Sequence, residues 1–366
     1  KFSRGALAFA LFCVLGLARL AAYSLQTDES GVYVVKWNIP SLPMRLKLSS
    51  TANLLDGNSY RSSVAAAMDA WNQKLGAIQF TPQLSQPGAY ASGNGINEIV
   101  MDRTMDGDAF PAGVLAITLS YTQGDEMAEA DIVFNTAYTW NSYRGGLRAS
   151  EDIQRVAIHE LGHVLGLNHP DEHGQSVAAI MNSRASNVDA LQSDDIAGGQ
   201  KLYGVPGLLP ANDAFASATP ITLADGTREF TGANILGTRE PGEPNHADSE
   251  GQHSVWWQWT APSTGNVTAS TFGSDFDTVL AVYTGTGVSA LTAVASNDDE
   301  ETEEQNPTPQ RRRSSKVTFT AQAGTTYYFA VDGWGSERTV PTGHTGTIIL
   351  NLNFTIVTPP AIVSQP

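Results

Sequence analysis

The sequence predicts two units in tandem, an α+β domain with three helices followed by an all-β sandwich. Three observations predict this. Three helices are legible before residue 205, from apolar spacing or from capping and stop residues, and no comparable one after it. Beyond residue 212 the chain turns to short alternating strands separated by Gly, Thr, Asn and Asp. Between the two patterns stands Pro206-Gly207-Leu208-Leu209-Pro210, which marks a linker over residues 206–211. At 366 residues the chain has room for two cores of ordinary size.

Charge narrows the partners. The formal charge is −16, and the only basic run is Arg311-Arg312-Arg313. Nucleic acid is therefore not an expected partner, because phosphate binding needs a basic surface. Residues 1–24 read as a secretory signal: Lys1 and Arg4 begin it, an apolar run covers residues 5–18, and Ala22-Tyr23-Ser24 offers small residues for cleavage. Arg19 breaks the run, which is short for a membrane span, so no stable membrane insertion is expected after cleavage. The single cysteine, Cys13, lies inside it, so the mature protein is expected to have no disulfide. Oligomeric state is not legible.

In the first domain, residues 25–205, strands are expected at 33–36, 44–48, 78–81, 98–101, 113–119 and 131–135. Tyr60, Val64, Met68, Trp71 and Leu75 fall on one face of a helix from about 58 to 75. Gly124-Asp125-Glu126-Met127-Ala128-Glu129 reads as a solvated acidic turn; with Asp102, Asp106 and Asp108 its carboxylates offer calcium ligands, but the spacing fits no twelve-residue calcium loop. Ser150 is expected to cap the second helix, with Glu151 and Asp152 in its first turn. Ser193 is expected to cap a third, from Asp194 to about Tyr203, ended by Gly204 and Pro206.

The second helix carries His159-Glu160-Leu161-Gly162-His163-Val164-Leu165-Gly166-Leu167-Asn168-His169. His159 and His163 are four residues apart, so their imidazoles project from one face and can grip one zinc ion. Glu160 is placed to take a proton from a water at that metal. Gly166 lets the chain leave the helix in a left-handed turn and bring His169 back as third ligand. Three protein ligands with one open position make a catalytic rather than a structural zinc. Five such fixed residues match by accident in roughly one chain of this length per 10⁴. His173 would close the site as a fourth ligand, and reads instead as an exposed loop histidine.

These residues resemble the zinc signature of the metzincin endopeptidases, and within them the matrixins. Met181, twelve residues after His169, stands where that family places the Met-turn below the metal. Residues 194–204 resemble its C-terminal helix. Gly113, Val114, Leu115 and Ala116 resemble its edge strand, which implies substrate bound in extended form by strand addition. The resemblance implies a twisted mixed sheet with three helices, zinc as cofactor, and hydrolysis of protein or peptide substrates. It also implies activity that falls in acid as the ligand histidines protonate. The chain departs from the family in three ways. No histidine precedes His159, and Ile117 stands where a ligand to a second zinc is expected, so one zinc is expected. No cysteine follows Cys13, so latency through a propeptide cysteine is not supported. Asn182-Ser183-Arg184 replaces the Pro-x-Tyr wall after the Met-turn, which leaves subsite preference open.

The second domain, residues 212–354, shows its clearest strands at 254–260, 279–283, 316–320, 326–332 and 346–354. Trp257 and Trp259 share a strand face with Val255, which points to core packing. Asp275, Asp277, Asp298 and Asp299, with Asn297, form either a calcium site or two solvated turns. A mobile loop is expected around 300–313, and residues 355–366 read as a linker to further domains. Asn212-Asp213-Ala214-Phe215, residues 240–246, Ser254-Val255-Trp256-Trp257-Gln258-Trp259 and Ser274-Asp275-Phe276-Asp277-Thr278 resemble the bacterial pre-peptidase C-terminal domain. That resemblance implies a jelly-roll-like sandwich serving substrate binding, secretion or stability. The expected whole is a secreted, extracellular or surface-associated zinc endopeptidase. The alternatives are a non-catalytic adhesin on the same scaffold, or a zinc amidase acting on a non-protein substrate.

Overall fold

Five strands form the sheet of the first domain: β1 (Ser41–Leu46), β2 (Gln79–Leu84), β3 (Glu98–Asp102), β4 (Ala116–Gln123) and β5 (Glu126–Asn135). The computed structural model describes residues 23–28, 31, 33–123, 126–300, 313–335 and 343–357. Nearly all of the expected signal, Cys13, Gly124, Asp125, most of the expected mobile loop and the end of the chain lie outside the described residues. The strand order is β2-β1-β3-β5-β4. Neighbours are parallel except β4, which runs antiparallel to β5 at one edge. Val34 and Lys36 contribute only isolated bridges in place of the expected strand at 33–36.

Helix α1 (Tyr60–Asn72) is shorter than expected at both ends. Ser59 caps it by accepting from the Ser62 N–H, and the Ser62 hydroxyl accepts from the Ser59 N–H in return. Its buried face carries Val64, Ala67, Met68 and Trp71, and the Trp71 indole N–H donates to Ile158 O at 2.9 Å on helix α2 (Ile153–Val164). Ser150 does not cap α2. Asp152 does, accepting from the Gln154 N–H at 3.2 Å, while Glu151–Asp152 pairs with Trp140–Asn141. A buried carboxylate that also binds the Arg144 guanidinium at 2.9 and 3.0 Å is the stronger acceptor. Helix α3 (Ser193–Tyr203) begins after Gln192, and the Asp195 carboxylate accepts from the Gln192 N–H at 2.7 Å.

The expected acidic turn is corrected. Glu126 to Glu129 open strand β5, and Glu129 is buried, accepting from the Gly93 N–H at 2.6 Å and from the Gly95 N–H. Backbone donors replace the water that a turn would have supplied.

The second unit is a sandwich. One sheet has the order β6-β8-β13-β10-β11, from Thr219–Pro220, Val255–Thr260, Thr326–Gly333, Thr278–Gly285 and Leu291–Asn297. The other has the order β7-β14-β9-β12, from Gly226–Ala233, Thr347–Ile356, Gly265–Ser270 and Lys316–Ala321. Trp257 and Trp259 lie in the core between the sheets, as expected, with Val267, Leu350 and Phe354. Trp256, on the opposite face, is buried too, under Phe215 and Tyr283. The strands missing from the sequence reading, such as β7 and β11, are short of buried apolar residues and show little alternation.

The units touch. Lys36 Nζ donates to Thr345 Oγ1 at 2.9 Å and to its carbonyl, and Lys201 Nζ lies 3.4 Å from Asp275 Oδ2. His344 Nε2 lies 3.0 Å from Glu126 Oε1, and that bond holds the Glu126 carboxyl below its usual range. Among the described residues no helix is long and apolar enough to cross a membrane.

Candidate active site

Helix α2 carries His159 and His163 one turn apart, and the chain then reverses at Gly166, whose φ is +99°. A Cβ there would lie 2.5 Å from the Val35 carbonyl oxygen, so both the backbone angle and the space require glycine. The reversal puts Leu167–Asn168 in a two-residue ladder with Ser24–Leu25 and returns His169 to the helix. The three Nε2 atoms converge: His159 to His163 is 3.1 Å, His163 to His169 is 3.0 Å, and His159 to His169 is 3.1 Å.

Each imidazole is oriented through its other nitrogen. His159 Nδ1 bonds Ile180 O at 2.8 Å, His163 Nδ1 bonds Leu167 O at 2.7 Å, and His169 Nδ1 bonds the Glu172 carboxylate at 2.9 Å. These partners only accept, so in the neutral rings the hydrogen is on Nδ1 and the Nε2 lone pairs face one another. Burial depresses the His159 pKa to about 4 and that of His163 well below its ordinary value, so both rings are neutral at pH 7. Three lone pairs about 3 Å apart repel unless a cation lies among them. A tetrahedral zinc with bonds of about 2.05 Å would separate its nitrogen ligands by roughly 3.3 Å, so the donor set fits zinc. His173 does not join it; its Nδ1 bonds His169 O at 2.9 Å on the surface.

Met181 is buried beneath α2, with its sulfur where a Cβ on Gly162 would be, so the glycine between the two helix histidines is what admits the floor residue. Asp195 fixes that turn from α3. It is buried, and it accepts from the Ile180 N–H at 3.0 Å and the Met181 N–H at 3.1 Å. Ile180 in turn holds His159. The sequence reading placed Asp195 in a helix but missed this role, as it missed Gly162 and Glu172. The carboxylate at Asp195 was visible, but its target lies in a loop with no regular period.

Glu160 is buried at the rim of a cleft of about 910 Å3. Burial raises its pKa to about 7, against the effect of a Thr118 hydroxyl that donates to Oε2 at 2.7 Å. Gly113, Val114, Leu115 and Ala116 all line this cleft with the three histidines. Only Ala116 is within strand β4; Gly113 has φ +86°, and Asn135 holds Val114 O and Leu115 O at 3.0 and 2.9 Å. Among the calcium candidates, Asp277, Asp298 and Asp299 come together, each offering an oxygen within 4.8 Å of the others. Asp275 does not join them: it accepts from the Thr347 N–H at 2.6 Å and faces Lys201.

Residues 36–204 match the family model described as Matrixin. Metalloendoproteinase 4-MMP of Arabidopsis thaliana is 35% identical over 127 residues, which cover 34% of this chain and 35% of that protein. Metalloendoproteinase 1-MMP of the same plant is 26% identical over 210 residues, covering 55% and 54%. The chain thus spans about a third to a half of the length of these relatives. Among solved structures, the pre-peptidase C-terminal domain of a collagenase from Bacillus anthracis aligns with 38% of this chain and 94% of its own, at 13% identity and a TM-score of 0.23. Residues 36–204, which bring His159, His163 and His169 together, are thus similar to the matrixin family.

Proposed function

We propose that this chain is a secreted zinc endopeptidase that cleaves extended protein segments. The observation that carries the reading is the convergence of three oriented Nε2 atoms beside Glu160, in a cleft bordered by an edge strand. His159, His163 and His169 would hold the zinc, which when bound supplies Lewis acidity to a carbonyl and to water. Glu160 takes a proton from the attacking water and returns it to the leaving amine. Strand β4 offers its free edge to an extended backbone beyond Ala116. Met181 forms the floor, and the buried Asp195 keeps it there. Of the three roles expected for the sandwich, its polar contacts to Lys36, Glu126 and Lys201 favour stability.

Cleavage of an unfolded protein substrate tests this, with metal analysis on the same sample. One zinc per chain and loss of cleavage on chelation are expected; cleavage at an undiminished rate by metal-free protein, or two tightly bound zincs in this domain, would overturn it. The pH dependence has a definite sign. Burial holds His159 and His163 below the ordinary imidazole value of 6.5, so the unfolded chain takes up protons first as pH falls. Stability and zinc retention are complete above about pH 6.5 and decline as pH falls towards about 4. Zinc content and kcat/KM unchanged at pH 4 would contradict the ligand assignment.

For the sandwich we propose a calcium ion at Asp277, Asp298 and Asp299. Asp277 and Asp298 each bury an oxygen that has no hydrogen bond among the described residues. Burial raises their pKa values to about 7 and about 6, a cost that a cation would reverse. Adding calcium at 100 times its Kd is expected to stabilise the sandwich by about 2.7 kcal/mol. A melting temperature that does not respond to calcium, or responds equally in Asp298→Asn, would rule the site out.

A further inference from the structure

Thr118 lies on the edge strand, outside the zinc motif, yet it makes the only side-chain hydrogen bond to Glu160 among the described residues. Its Oγ1 is 2.7 Å from Glu160 Oε2 and 3.1 Å from the Glu160 main-chain oxygen. A hydroxyl has one hydrogen, so it serves one acceptor at a time. An ionised carboxylate is the stronger acceptor, and the shorter distance is to it. That bond occupies Oε2. Oε1, with no protein hydrogen bond among the described residues, is the oxygen left to face the cleft.

We propose that Thr118 is a positioning residue for Glu160, locking the carboxylate so that Oε1 is the atom that exchanges protons. The inference rests on the peptidase reading. In the step it serves, a water O–H bond breaks and its proton goes to Glu160 Oε1. The same proton then passes to the nitrogen of the leaving amine as the peptide C–N bond breaks, and the carboxylate is restored. Throughout, Oε2 remains an acceptor, and the Thr118 hydrogen neither transfers nor turns. Glu160 alone has three rotatable side-chain bonds, whereas the β-branched Thr118, held in a strand, has few rotamers to choose from. The strand that borders the cleft thereby also fixes the angle of the base.

The test compares Thr118→Val, which keeps the branched shape without the donor, with Thr118→Ser, which keeps the donor, in the zinc-loaded full chain on an extended peptide. The expected result for Thr118→Val is a kcat lower by about 10-fold or more, with KM within about twofold. Its zinc content and melting temperature stay at the wild-type values, and Thr118→Ser returns kcat to within about threefold of wild type. The proposal is overturned if Thr118→Val keeps the wild-type kcat, if its loss appears only in KM or follows lost zinc, or if Thr118→Ser is as impaired as Thr118→Val. An inactive wild-type protein with zinc bound would overturn the peptidase reading itself, and this proposal with it.

Discussion

Glu160→Ala is expected to bind one zinc per chain and to lose about 10²–10⁴-fold in kcat/KM, the usual contribution of a positioned general base. Zinc retention follows from the orientation of the ligands. The Nδ1 atoms of His159, His163 and His169 are held by Ile180 O, Leu167 O and the Glu172 carboxylate, and Glu160 takes no part in that set. The loss in rate follows from what Glu160 alone supplies at the cleft rim, a buried carboxyl with one oxygen tied to Thr118 and the other without a hydrogen bond among the described residues. Glu160→Gln separates proton transfer from shape, because it keeps the volume and the Thr118 contact but cannot accept a proton at neutral pH. It should be as inactive as Glu160→Ala. Single-turnover assays alongside metal analysis read both quantities. A Glu160→Ala protein within tenfold of wild type would remove the general base from the mechanism.

Gly166→Ala is expected to destabilise the first domain by about 2–4 kcal/mol and to weaken zinc binding about tenfold. Two costs add. The φ of +99° is one that L side chains rarely adopt, and the new Cβ would meet the Val35 carbonyl oxygen at 2.5 Å. Backbone on both sides leaves little room to yield. Gln26 N donates to Gly166 O at 2.8 Å, and Gly166 N donates to His163 O at 3.0 Å. Relief therefore comes by moving the turn, and the turn is what returns His169 to His159 and His163. Gly174→Ala is the comparison: its φ is +77° but no atom lies within 4 Å of the added carbon, so it should show only the smaller backbone cost. Thermal melts and zinc titrations of the two variants check this. If Gly166→Ala melts within a degree of wild type, the tight reversal does not hold the third ligand in place.

Much of the site was legible because its parts lie close along the chain. The four-residue spacing of His159 and His163 is one turn of any helix, and Gly166 announced the reversal that the structure contains. The helix at 58–75 was found from periodicity and the one at 194–203 from its end signals, although the first begins at its Ser59 cap and the second is capped by Gln192 in place of Ser193. Ser150 was a plausible cap until Asp152, paired with Arg144, proved the stronger acceptor. Glu126 and Glu129 read as solvated because carboxylates usually are. The partners that made other outcomes possible, the Gly93 and Gly95 amides and His344, come from other parts of the chain.

By itself, then, the sequence determined the two-unit order, the zinc-signature spacing of the three histidines and the neighbouring carboxylate. Those properties depend on residue type and on spacing within a few turns, which local geometry translates directly into position. Only the tertiary structure decided that Asp195 holds the turn at Ile180 and Met181, that Asp275 stands apart from Asp277, and that Thr118 reaches Glu160 from 42 residues away. A hydrogen bond needs its partners within about 3 Å. Across such separations that distance is set by how the helices pack on the sheet, which no short-range pattern records.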